Sequence, residues 1–221
     1  LAAHNYGVSG EQFHNIIKKL QKKDFSKYKY IIYGLTPNDL FDLVDGSYDR
    51  KTELSSANNN NLGSIIGFKS LKTLLLSSAT SKFLLHNLMS VDSAYYNTYL
   101  ARQPYAGYIE TPISTQFENA IKTVFDQITS LNEDVKDKLV ILLIPQRAEV
   151  VGMRLGFYNN DFENKFLNSC TEAELICFAT DIEPLSKLNE SHFPIDGHLT
   201  VDGNDTVARQ LGDHLRKLSW D

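Results

Sequence analysis

The chain has 221 residues, 42% apolar and 22% charged, proportions that suit one globular α/β domain with its own core. Lys and Arg number 22 against 27 Asp and Glu, for a formal net charge of -5. That balance excludes the clustered basic surface that phosphate backbones require, so no nucleic-acid partner is expected, and no run of about 18 apolar residues is present to span a bilayer.

The opening segment Asn5-Tyr6-Gly7-Val8-Ser9-Gly10 leads into a predicted helix over Glu11–Lys23. Phe13, Ile16, Ile17 and Leu20 recur there at three- and four-residue steps and form one apolar face. Lys18, Lys19, Lys22 and Lys23 read as the solvated side of that helix. Tyr28–Tyr33 is rich in β-forming residues and is closed by Gly34 and Pro37. It predicts a buried strand that delivers Gly34-Leu35-Thr36-Pro37-Asn38-Asp39 to a loop.

From about Leu43 to Thr111 the periodicity weakens. Ser55–Asn61 is polar and Asn-rich, Ser64–Leu76 and Ser81–Met89 carry helical patterns, and Tyr95–Tyr108 is rich in tyrosine. This stretch is read as an insertion between core strands, of the kind that shapes a pocket or a partner surface. Its tyrosines (Tyr95, Tyr96, Tyr99, Tyr105 and Tyr108) are expected to divide between core and surface rather than to form a sugar-stacking platform.

The core resumes with a helix over Ser114–Leu131, whose apolar face is Phe117, Ile121, Val124, Phe125 and Ile128. Leu139–Ile144 is a continuous apolar run ended by Pro145, as for a parallel strand covered on both faces. Arg147, after Pro145, is expected on an exposed loop, where it is read as solvated rather than as steadying an anionic substrate. A helix over Phe162–Ser169 and a short strand over Leu175–Ala179 follow, with Cys170 and Cys177 read as two buried free thiols in preference to a disulfide, which would have to join a helix end to the next strand. A final helix carries Val201, Val207, Leu211 and Leu215, with Thr200 as its N-cap. Strands alternating with helices imply βαβ units, a parallel sheet and right-handed crossovers. The whole of 1–221 is read as one domain with an insertion at about 43–111.

Asp196-Gly197-His198 is the sharpest chemical signal. A carboxylate two residues from an imidazole can fix the ring's tautomer and stabilise the imidazolium formed in general-base catalysis. Two further loops fall at expected strand ends, Asn5–Gly10 and Pro37–Asp39, and ligands of doubly wound sheets bind outside the carboxyl ends of the strands. The Gly10 amide and the Asn38 carboxamide are donors suited to an oxyanion. His192, Asp196 and His198 also carry zinc-type donors, but the sequence offers no further ligand, and no metal or cofactor is expected. Gly7-Val8-Ser9-Gly10-Glu11 makes a poor flavodoxin-type phosphate loop, because Glu11 repels a phosphate.

In order and spacing the three loops resemble blocks of the SGNH (GDSL-like) hydrolase superfamily. Asn5–Gly10 is similar to its glycine block, Asn38-Asp39 to its Gly-x-Asn-Asp block, and Asp196-Gly197-His198-Leu199-Thr200-Val201-Asp202-Gly203 to its C-terminal Asp/His block. The last resembles the form found in surface-polysaccharide O-acetyl esterases and acetyltransferases, with a glycine five residues after the histidine. The resemblance implies a three-layer α/β/α sandwich with a parallel, flavodoxin-like sheet. It also implies a serine esterase or O-acyltransferase acting on a small-molecule or glycan acyl ester. His198 would be the base and Asp196 its orienting carboxylate, while Gly10 and Asn38 would supply the oxyanion hole. The family's Gly-Asp-Ser block on the first strand is missing, and Ser9 lies in the glycine block instead. The first strand and its nucleophile are therefore expected upstream of Leu1 or on a separate chain. A surface-acting member would work outside the cytoplasm. The alternative is a non-catalytic relative that uses the same cleft for binding.

Overall fold

The computed structural model describes residues 13–44, 79–101, 106–194 and 197–218. The chain is α/β. Among the described residues three strands form one open, all-parallel sheet: β1 (Ile31–Leu35), β2 (Leu139–Leu143) and β3 (Ile176–Ala179), in the order β1-β2-β3. Ile31 stands opposite Leu139, and Val140 opposite Ile176. The central strand β2 is buried at every position, which is why its sequence is apolar without alternation.

The pleat divides the core in two, because successive side chains leave a strand on opposite faces. Ile31, Tyr33, Leu35, Leu139, Ile141 and Leu143 enter a large cluster. That cluster also takes the apolar faces of α1 (Phe13–Lys22), α5 (Thr115–Thr129) and α8 (Asp161–Glu172). Leu142 enters a smaller cluster with Val150 of α7 (Arg147–Leu155), Ile182 and Leu185 of α9 (Ile182–Ser186), and Val207 of α10 (Val201–Leu218). Each fully buried Leu, Ile or Phe contributes roughly 1.5–3 kcal/mol on transfer from water, so the larger cluster dominates the stability. In α1 the buried residues are Phe13, Ile17 and Leu20, and Lys18, Lys19, Lys22 and Lys23 are all exposed.

The first strand begins later than expected and contains Gly34 rather than ending at it. The Ile31 amide donates to the Lys138 carbonyl at 2.8 Å, which sets the register. Gly34 lies opposite Leu142, and a Cβ there would stand 3.0 Å from Ile144 Cδ1, so the glycine admits a close neighbour inside the strand. Tyr28, read as part of the strand, instead packs on Phe25 before it.

After the short helix α2 (Phe41–Val44), α3 (Ala79–Ser90) and α4 (Asp92–Leu100) lie within the insertion and precede a 3₁₀ turn at Gly107–Ile109, and the one-turn α6 (Glu133–Lys136) leads into β2. Tyr96, Tyr99 and Tyr108 are buried and Tyr95 is half-buried. The expected helix at Ser64–Leu76, the Asn-rich loop and Tyr105 lie outside the described residues.

Two expectations are corrected. Cys170 and Cys177 form a disulfide, not two free thiols. Helix α8 ends at Glu172, and Glu174 turns the chain in the left-handed region (φ 55), so β3 returns alongside the helix with the two Cα atoms 6.3 Å apart. Arg147 is not on an exposed loop: it opens the helix α7 and is 6% exposed. That helix is announced by a capping box. The Gln146 amide donates to the Glu149 carboxylate at 2.7 Å, and Gly156 (φ 76) closes the other end.

Candidate active site

Beyond the carboxyl end of β1, Thr36 caps the 3₁₀ turn Pro37–Leu40. Its amide donates to the Asp39 carboxylate at 2.7 Å and its hydroxyl to the same oxygen at 3.1 Å. Asn38 rides exposed on this turn. Its side-chain oxygen lies against the Thr36 hydroxyl, and its carboxamide nitrogen carries two N–H donors.

Beyond the neighbouring strand β2 the chain continues as Ile144-Pro145-Gln146 into α7, and here the histidine-bearing loop is moored. An isolated antiparallel bridge joins His192 to Leu199. Within it the Phe193 amide donates to the His198 carbonyl at 2.8 Å and the Gly197 amide to the Phe193 carbonyl at 3.1 Å. Gly197 has φ 73, a conformation that favours glycine. The Thr200 amide closes the base of the loop on the Ser191 carbonyl at 2.9 Å, and the Thr200 hydroxyl accepts from the Gly203 amide at 3.2 Å as the N-cap of α10. His198 is exposed on this loop.

Two side chains fasten the loop to the end of β2. His192 Nε2 lies 3.2 Å from the Pro145 carbonyl and Nδ1 lies 3.0 Å from Ser191 Oγ. A carbonyl only accepts, so Nε2 carries the proton and Nδ1 accepts from the serine hydroxyl. Burial, aided by the nearby Arg147 and Arg154 charges and opposed by the Pro145 bond, lowers the His192 pKa to about 4. Both ring nitrogens are thus occupied in a neutral, structural histidine. Among the described residues no group of three or more His, Cys, Asp or Glu is arranged to hold a metal.

The second fastening is Arg147. Its guanidinium donates through Nη1 to the Pro194 carbonyl and through Nη2 to the Met89 carbonyl, each at 2.5 Å. It stacks 4.0 Å over the Tyr95 ring and lies 3.9 Å from the Asp92 carboxylate. Asp92 also meets Arg154 at 3.2 Å. A polar cleft of about 70 Å³ opens among Asp92, Arg147, Arg154, Glu190, Ser191 and His192. Behind it the hydroxyls of Tyr99 and Tyr108 both donate to Gln146 Oε1 at 3.0 Å. Burial raises the Glu149 pKa to about 8, against the lowering effect of the Gln146 amide.

Of the four expected site residues, Asn38 and His198 stand on segments that leave the carboxyl ends of adjacent parallel strands or are tied to them; Gly10 and Asp196 lie outside the described residues, as does Ser9. An exposed imidazole can take a proton from a hydroxyl, and a carboxamide can donate to a developing oxyanion. The supporting residues His192, Arg147 and Gln146 were not read as such from the sequence. The spacing Gln146-x-x-Glu149 ahead of Val150-Val151 is the signal that locates their helix. No protein-family model, curated protein or solved structure matches the chain.

Proposed function

We propose that this chain belongs to an SGNH-type serine esterase or O-acyltransferase acting on a small acyl ester, O-acetyl groups of a glycan among them. In this reading His198 takes the proton of a serine hydroxyl as that oxygen attacks the acyl carbon. Asp196 holds the imidazole in its tautomer, and the Gly10 amide and Asn38 carboxamide receive the negative charge on the acyl oxygen. In this family the serine stands on the first strand of a three-layer sandwich of flavodoxin-like order, the architecture this reading assigns to the domain.

The observation that carries the reading is the mooring of the His198 loop to Pro145 and Arg147 at the end of β2, next to the strand that leads into Asn38. Ligands of parallel sheets collect at that end. Two further features support it. Among the described residues β1 pairs with β2 alone, and Ile32 is 41% exposed on it, which leaves an edge suited to another strand. The Cys170–Cys177 disulfide fits an oxidising compartment and hence work outside the cytoplasm.

The test uses the natural gene product with a short-chain nitrophenyl ester and a fluorophosphonate probe. Hydrolysis and labelling are expected, with His198→Ala lowering kcat by about 10³-fold or more, as for loss of a triad member. Equal rates for the two proteins would overturn His198 as the base. Absent labelling together with measurable glycan binding would assign the non-catalytic alternative.

A further inference from the structure

Arg147 occupies an unfavourable place for a cation. It is almost fully buried, it opens a helix whose N-terminal end is already positive, and Arg154 lies close enough to lower its pKa further. Replacing buried ionic groups by apolar ones of similar volume is often neutral or stabilising, so core stability does not account for an arginine here. What the guanidinium supplies, and an apolar side chain cannot, is a rigid planar fork. Its two arms reach main-chain carbonyls on segments distant from each other in sequence: Met89 at the end of α3, and Pro194 inside the loop that bears His198. The Tyr95 ring on α4 fixes the plane of the fork, and Asp92 supplies the opposing charge.

We propose that Arg147 is a positioning residue for the proposed acyl-transfer site, clamping the His198 loop to the helices of the insertion. The inference rests on His198 acting as the base. Below the clamp, the His192–Leu199 bridge fixes where the loop leaves and re-enters the body of the protein. Above it, the Phe193 and Gly197 amides bond within the loop, and the Pro194 carbonyl is held from outside it by Arg147. Through Met89 and Tyr95 the insertion thereby sets the attitude of the imidazole. A ligand that shifts α3 or α4 is then felt at His198 without touching it.

The experiment compares Arg147→Met and Arg147→Lys in the natural gene product by ester hydrolysis and by amide hydrogen exchange. Misplacement of a catalytic group by about 1 Å is enough to lower a rate by about 10²-fold. Arg147→Met is therefore expected to lower kcat on that scale with KM little changed, and to speed exchange at the Phe193 and Gly197 amides while β2 amides stay protected. Arg147→Lys keeps the charge but cannot hold both carbonyls in one plane, and falls between the two in both readouts. An unchanged kcat in Arg147→Met while His198→Ala is inactive overturns the clamp and leaves the acyl-transfer reading standing. Full activity in His198→Ala overturns that reading, and the exchange comparison then still decides whether Arg147 holds the loop. Should Arg147→Met lose protection throughout β2, the Arg147→Lys data decide: wild-type kcat and exchange there overturn the proposal.

Discussion

Substituting alanine for Gly203 sets two effects of opposite sign against each other. Helix propensity alone favours alanine over glycine, by at most about 1 kcal/mol at this first-turn position. Packing opposes it. A Cβ at Gly203 falls within 3.0 Å of the Ser191 carbonyl oxygen, closer than real Cβ atoms come, and stands 3.0 Å from Leu199 Cδ2 and 3.2 Å from the Ser191 carbonyl carbon. The obstruction is backbone, so no rotamer change relieves it, and Ser191 must retreat by several tenths of an ångström at least. Overpacking of this kind costs roughly 1–3 kcal/mol. The retreat also strains the Thr200–Ser191 bond, worth about 1 kcal/mol. The net expectation for Gly203→Ala is a loss of about 2 kcal/mol, or about 4–8 °C in Tm for a chain of this length. Gly212 lies on the same helix, and a Cβ there meets only Arg216 Nη1 at 3.9 Å; Gly212→Ala is expected to raise stability by about 0.5–1 kcal/mol. Guanidinium unfolding of the two variants beside the parent is the assay. A Gly203→Ala protein as stable as the parent would refute the close approach of Ser191 to α10.

Stability should depend on pH through two buried groups of opposite slope. The His192 pKa is about 4 when folded and 6.5 in the free side chain. Its contribution is complete above about pH 6.5 and is lost as pH falls toward 4, an effect of about 3 kcal/mol that His192→Gln removes. Glu149, raised from 4.5 to about 8, acts the other way: its contribution is present below pH 4.5 and is lost as pH rises through 8. Glu149→Gln is accordingly expected to be the more stable protein at pH 8.5, by as much as about 4 kcal/mol. Denaturation midpoints between pH 4 and 8.5 check both signs, and a parallel curve for either variant contradicts that group's assignment. The disulfide closes a loop of sequence separation 7, so reduction or Cys170→Ala/Cys177→Ala should destabilise by about 2–3 kcal/mol. Intact mass after alkylation should show no adduct until a reductant is added.

The elements that the sequence makes plain are those decided by one strong local signal. Leu139–Leu143 is apolar without a break because both faces of β2 are covered, and α5 shows its buried stripe at helical spacing. The start of β1 was less plain, because Tyr28 and Tyr30 favour strand formation as strongly as Ile31, and only pairing with Leu139 decides where the strand begins. Arg147 misled for a similar reason. A charged residue after a proline reads as surface, and nothing local reveals that Met89, Tyr95 and Pro194, from remote parts of the chain, close around it. The disulfide depended on the tight reversal at Glu174, a backbone conformation that composition does not disclose. Of the candidate site, Asn38 and His198 were legible as residue types in suggestive places, whereas the parts that hold the loop were not.

The two tyrosine hydroxyls that meet on Gln146 carry a consequence for the stretch that supplies them. Tyr99, Ala106 and Tyr108 are all at most 7% exposed and sit in the same cluster as the sheet. A domain whose core is shared in this way opens and closes as one cooperative unit. The segment that carries Tyr99, Ala106 and Tyr108 is therefore not an appendage that can be trimmed to leave a smaller working protein. Removing Tyr99 and Tyr108 would withdraw aromatic mass from beneath α5 and leave Gln146 Oε1 without its two tyrosine donors, and limited proteolysis should release no core that lacks them.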